Sequence, residues 1–190
     1  MGHECWGDSM NWRTLLVGLI EFAEKGGYSW RVPVEGGNLE LPWKVEFALL
    51  SGDTDIYCFQ DNEKYVVRDR NRGSFSAPEI VSDHVEDIEK FLSFAVGNAV
   101  RYRSGLPHIE LESAPIAVGA EVEGFLIEGE PRDTTLSWVE RDSARRVSGL
   151  GRFDASKFIR YSRFSADEIR ASFLATDGHP MFKSVARIPE

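Results

Sequence analysis

At 190 residues, 42% hydrophobic and 28% charged, the chain is sized for one well-buried soluble domain and is short for two. Its net charge of −9 argues against a nucleic-acid partner, since phosphate contacts need a basic surface, and no apolar run reaches a membrane span. The opening "MGHECWGDSM" carries Glu4 and Asp8 where a secretion signal would be basic, so a cytoplasmic location is expected.

Trp12, Leu15, Leu16, Leu19, Ile20 and Ala23 fall on one helical stripe, which predicts a helix from Asn11 to Lys25 ended by Gly26 and Gly27. "YSWRVPV" and "WKVEFALL" are rich in strand formers. "DIYCFQ" and "KYVVRDR" flank Asp61-Asn62-Glu63, a hairpin turn, and the continuous run Ile56 to Phe59 predicts a strand covered on both faces. Asp83 and Glu86 form a capping pattern before Ile88, Phe91, Leu92, Ala95, Val96, Ala99 and Tyr102, a second helix that Gly105 ends.

"EVEGFLIEG" and "TTLSWVERD" bracket the turn "EPRD", and "DASKFIRYS" reads as a third helix. Ser165 and Glu168 are spaced as a capping box for a fourth, carrying Ile169, Phe173 and Leu174, with Gly178 as its stop and Pro180 barring resumption. Sequence-adjacent strands joined by short turns, with helices before and after, predict a single α+β domain over residues 1–190 with a largely antiparallel sheet.

Few residues suggest chemistry. Cys5 and Cys58 make no disulfide framework and have no CxxC or histidine neighbour at zinc-ligand spacing. His3, His84, His108 and His179 form no ligand pair, no GxSxG elbow is present, and "VEGGNLE" and "GLGRF" lack the context of a phosphate loop. The expectation is no catalytic set, no metal and no cofactor. Two features suit binding. The segment "RDRNRGSFS", Arg68 to Ser76, sets arginines beside an aromatic and fits a phosphate or an acidic partner, or else a solvated loop. Residues 1–120 hold 11 Lys and Arg against 19 Asp and Glu, whereas residues 121–190 hold 11 against 12; the acidic part suits a basic partner, or only solubility.

"IRASFLATDGHPMF" resembles the closing segment of the immunity-protein family that includes the antitoxin of the tuberculosis necrotizing toxin, at Ser172, Phe173, Leu174, Gly178, Pro180, Met181 and Phe182. "IEKFLSFAVGNAVRYRSGLPHI" resembles an upstream helix of that family and its exit, at Ile88, Glu89, Lys90, Phe91, Leu92, Leu106 and Pro107. "EPRDTTL" resembles its turn, at Arg132, Asp133 and Thr134. The likeness runs in order from about Tyr57 to Phe182, and the N-terminal "VPVEGGNLELPWKVEFALL" departs from it.

The resemblance implies a non-enzymatic inhibitor that binds a secreted NAD-hydrolysing toxin in the cytoplasm and blocks its NAD-binding cleft. Charge and interface chemistry then nominate Asp53, Asp55, Asp61, Asp69, Arg70, Arg72 and Phe75 as toxin contacts. Two other readings stand beside it. One is a small-ligand module with a pocket lined by Trp30, Trp43 and Trp138; the other is a hydrolase using His179 and an acid.

Overall fold

The computed structural model describes residues 16–31 and 45–182. Ten strands among them form one sheet: β1 (Ser29–Arg31), β2 (Val45–Leu50), β3 (Thr54–Asp61), β4 (Lys64–Asn71), β5 (Ser74–Phe75), β6 (Ile80–Ser82), β7 (Glu121–Val122), β8 (Phe125–Glu130), β9 (Asp133–Glu140) and β10 (Ser143–Leu150). The spatial order is β1-β2-β3-β4-β6-β10-β9-β8-β7, with β5 folded back on the end of β4, and every pairing is antiparallel. Helices α1 (Val17–Lys25), α2 (Val85–Arg103), α3 (Arg152–Tyr161) and α4 (Ala166–Leu174) complete the described residues. The α+β expectation holds.

Alternation along the strands sends one set of side chains to the helices and the other to the opposite face. Phe47, Leu49, Ile56, Cys58, Val67, Ile80, Val147, Leu136 and Ile127 meet Leu19, Phe22, Leu92, Val96, Phe158 and Phe173 in one continuous core. Each such side chain contributes about 1.5–3 kcal/mol on burial. Val45, Ala48 and Tyr57 form a smaller buried cluster on the other face, with Leu50 and Phe75 against it. Ile56, Tyr57, Cys58 and Phe59 are all buried, as a strand covered on both sides requires. Burial pushes the Cys58 thiol well up, which keeps it protonated and unreactive.

The helix ends obey a finer chemistry than sequence spacing shows. In α4 the capping box forms: Ser165 Oγ accepts from the Glu168 backbone N–H at 3.2 Å, and Glu168 Oε2 accepts from the Ser165 N–H at 2.8 Å. For α2 the expected Asp83 cap does not form. His84 is the N-cap and its side chain makes no cap bond; just before it, Ser82 Oγ accepts from the His84 N–H at 3.0 Å and donates to Asp87 at 2.9 Å. Asp83 faces Lys64 instead, at 4.0 Å. Gly178 is not the stop of α4, which ends at Leu174; it closes the following turn, its N–H bonded to Ala175 O at 3.1 Å, in the left-handed region at φ 74°. The helix expected over Asn11 to Lys25 is described as α1 from Val17, with Leu16 as its N-cap; Asn11 to Leu15 lie outside the described residues.

One buried cation ties the C-terminal elements together. Arg101, fully buried near the end of α2, donates to the carbonyls of Pro107 (2.7 Å), Phe173 (2.9 Å), Ala175 (2.6 Å) and Thr176 (3.4 Å). Phe173 and Ala175 offer carbonyls at the end of α4, Thr176 and Pro107 offer theirs from the connections beyond α4 and α2, and a guanidinium has the fork of donors to meet several at once.

Candidate interaction surface

The segment Arg68 to Ser76 is a hairpin, not a loop. Strand β4 runs on to Asn71, Arg72 and Gly73 turn with φ of 48° and 87°, and β5 returns to pair Arg70 with Phe75. Two successive positive φ values match the right-handed twist of the flanking strands, and glycine supplies the second without steric cost.

Pairing across the hairpin builds a row. Asp55 sits opposite Arg70, and Arg70 opposite Phe75, on the face turned away from the helices. The Arg70 guanidinium lies 5.6 Å from the centre of the Phe75 ring, and that ring meets buried Tyr57 edge-on at 5.3 Å. Such a stack fixes a long cationic side chain at low further entropy cost. Asp55 Oδ1 accepts from the N–H groups of Ser51 (3.2 Å) and Gly52 (3.4 Å), so it shapes the β2–β3 turn that carries exposed Asp53. Because Thr54 pairs with Asn71, this turn and the Arg72 turn are neighbours. Five nominated residues, Asp53, Asp55, Arg70, Arg72 and Phe75, therefore gather at one end of the sheet.

Two others do not join them. Asp61 ends β3 at the opposite hairpin, about 20 Å along the strand from Asp55. It borders a cleft of about 380 Å³ whose rim also holds Lys64 and Arg68 above Phe59, Val66 and Val81. Asp69 pairs with core residue Ile56, so its side chain is on the helix-facing side, where its backbone N–H donates to Ser76 Oγ at 3.3 Å. Burial raises the nearby Glu79 carboxyl above its usual range, and the charges of Asp69 and Asp154 add to that.

The other candidate sites do not assemble. Trp30 is on β1 and Trp138 on β9, six strand spacings or about 29 Å apart across the sheet. Trp138 is packed between Phe125 (4.9 Å) and Phe158 (5.9 Å), and Trp43 lies outside the described residues. His179 is exposed, with its backbone N–H on Asp177 at 3.1 Å. Among the described residues no three His, Cys, Asp or Glu side chains cluster as metal ligands would, and no helix is long and apolar enough to cross a membrane.

Under the helices lies a charged cluster that spacing alone does not show. Arg145 stands 3.5–3.8 Å from Glu86, Asp87 and Glu140, and Lys90 stands 3.9 Å from Glu140 and 2.6 Å from the Ser162 carbonyl. Burial raises the Asp87 carboxyl, against which the Ser82 bond and the Arg145 charge pull it down. Acids and cations answer one another here, joining α2 to β9, β10 and the end of α3.

Sequence reasoning also missed the far end of the open face. Leu126 (46% exposed) and Val139 (72% exposed) sit there on β8 and β9. Glu121 pairs with Leu126 across β7 and β8, and alternation puts Glu128 and Glu130 on the same face. The available signal is a gap: Ser104 to Pro131 contains six glutamates and neither lysine nor arginine.

The described residues thus form a ten-stranded antiparallel sheet with helices on one face and charged hairpin ends on the other. Residues 22–181 match the family model described as Immunity protein 61, and the chain belongs to that family. Among solved structures, Rv3902c from M. tuberculosis is similar, with a TM-score of 0.69 and 20% identity over 89% of this chain and 93% of that one, a likeness of fold. No curated protein sequence matches the chain. The expected kinship with immunity proteins is met, and the match begins at residue 22, ahead of the N-terminal segment that departs from the motifs.

Proposed function

We propose that this protein is an antitoxin that binds a secreted NAD-hydrolysing toxin in the cytoplasm of the producing cell and blocks its NAD-binding cleft. Membership of an immunity-protein family carries the antitoxin role. The toxin class comes from the motif resemblance at Ser172 to Phe182 and Ile88 to Leu92. The contact surface begins at the row Asp55–Arg70–Phe75, which joins a pinned arginine to an aromatic, the residue types that anchor interfaces. Exposed Asp53 and Arg72 flank it. A chain of net charge −9 also suits a cleft that accepts an anionic dinucleotide.

The test is an NAD-hydrolysis assay with a purified toxin of this class from the same genome and rising amounts of the protein. Hydrolysis should fall to baseline at one equivalent. A protein that binds while hydrolysis continues at saturation does not block the cleft, and a protein that hydrolyses NAD by itself is not an antitoxin.

A further inference from the structure

We infer that Ser76 is a positioning residue of the contact row: its hydroxyl aims Phe75, and through Phe75 the guanidinium of Arg70, at the partner. The inference rests on the antitoxin reading and names a further determinant of that same surface.

Strand β5 is two residues long and pairs with the end of β4 through Arg70 and Asn71. So short a strand has little ladder of its own to hold an aromatic side chain in place. In a regular antiparallel pair the next two residues, Asp69 and Ser76, would exchange both backbone bonds. Only one of these forms: the Ser76 N–H donates to Asp69 O at 3.1 Å. The returning Asp69 N–H goes to Ser76 Oγ at 3.3 Å, and the hydroxyl in turn donates to Ala77 O at 2.7 Å. The Ser76 carbonyl is thereby turned out of the ladder, and Arg68 Nη1 donates to it at 3.2 Å. Pairing with β4 resumes only where the Glu79 N–H reaches Val67 O at 2.9 Å.

A serine hydroxyl thus stands where a backbone carbonyl would be. It sets the direction in which the chain leaves β4, directly after Phe75. That direction keeps the Phe75 ring edge-on to Tyr57 at 5.3 Å, with the Arg70 guanidinium 5.6 Å from its centre. Arg68 pairs with Tyr57 across β3 and β4, so the guanidinium that holds the turned carbonyl is on the same open face as the row. Removing the hydroxyl returns the Asp69 N–H to the Ser76 carbonyl, as in a regular ladder, and takes that carbonyl from Arg68. The exit then swings, and Phe75 leaves Tyr57. Threonine keeps the hydroxyl and, being β-branched, suits a strand end.

The experiment measures binding rates to the same purified NAD-hydrolysing toxin. Ser76→Ala should raise the dissociation rate about fivefold, the factor that one hydrogen bond supplies, and leave association within about twofold. In a Phe75→Ala background the same change should move dissociation by less than about twofold, because the side chain that it aims is gone. Ser76→Thr should stay within about twofold of wild type. Thermal melts check that each variant folds. Hydroxyl-radical labelling of the free protein gives a readout independent of the toxin: Phe75 should label at least about twofold faster in Ser76→Ala than in wild type. A Ser76→Ala dissociation rate like that of wild type, an equal rise in the Phe75→Ala background, a threonine variant that behaves as alanine does, or unchanged Phe75 labelling overturns this inference alone. Failure of the wild-type chain to bind, or a Phe75→Ala variant that dissociates no faster than wild type, overturns the contact reading on which the inference stands.

Discussion

The ring of Phe173 fills the space that a side chain on Gly97 would need: a Cβ there would sit 2.4 Å from two ring carbons. Gly97 is in the middle of α2 and Phe173 near the end of α4, so the missing side chain sets how closely the two helices approach. Phe173 also meets Phe94 (5.6 Å) and Phe182 (5.2 Å) edge-on. Alanine favours a helix by about 1 kcal/mol over glycine, but overpacking a closed core costs about 1–3 kcal/mol. Gly97→Ala should therefore lower stability in denaturant unfolding. Phe173→Ala should cost about 3–5 kcal/mol, and the double variant less than the sum, because each change relieves the other.

The cap of α4 makes a pH-dependent prediction. Bonds from the Ser165 backbone and side chain lower the Glu168 carboxyl below its usual range. A lowered folded-state value gives stability that is present above the unfolded value, about 4.3, and is lost as pH falls through the folded one. Ser165→Ala should cost about 1 kcal/mol at neutral pH. Its deficit in melting temperature should shrink below about pH 4.

Asp87 works with the opposite sign. Burial raises its carboxyl, so the folded chain holds that proton more tightly than the unfolded one. Its contribution falls as pH rises from about 3.9, the unfolded value, through the folded one. The melting-temperature difference between wild type and Asp87→Asn should decline across that interval and then level off. A difference that grows with pH would mean that Arg145 outweighs burial.

At the hairpin end, Phe75→Ala should speed toxin dissociation, since it removes the surface on which Arg70 rests. Neutralising Asp53 or Asp55 should mainly slow association. Asp61, about 20 Å along β3, should matter less than either. His179→Ala should leave inhibition intact, and its loss in a folded variant would restore a catalytic reading.

Local signals made much of this fold legible. Strand runs parted by two- and three-residue turns gave the hairpins, and Ser165 with Glu168 gave a true cap. Where the chain enters a helix one residue later than spacing suggests, spacing misleads: the N-cap of α2 is His84, without a side-chain cap, and Asp83 faces Lys64. Arg72-Gly73 hid a hairpin because arginine is not a habitual residue at positive φ. The insertion of β6 between β4 and β10 is a non-local pairing with no mark in the sequence. For the surface, register decides. One residue separates Asp69 from Arg70, and that step sends them to opposite faces. Counting charge over residues 1–120 and 121–190 conceals the glutamates near Leu126, which a run without lysine or arginine brings out.

The placement of Arg101 bears on the order in which the molecule can be finished. Three of the carbonyls that receive its guanidinium lie more than seventy residues downstream, at Phe173, Ala175 and Thr176. As the chain leaves the ribosome, α2 emerges long before those carbonyls do. In that interval only Pro107 can answer the cation, and closing the core over it would strand a charge away from water. All ten described strands can thus be synthesised while the domain still waits for α4, and proteolytic resistance should arrive in one late step.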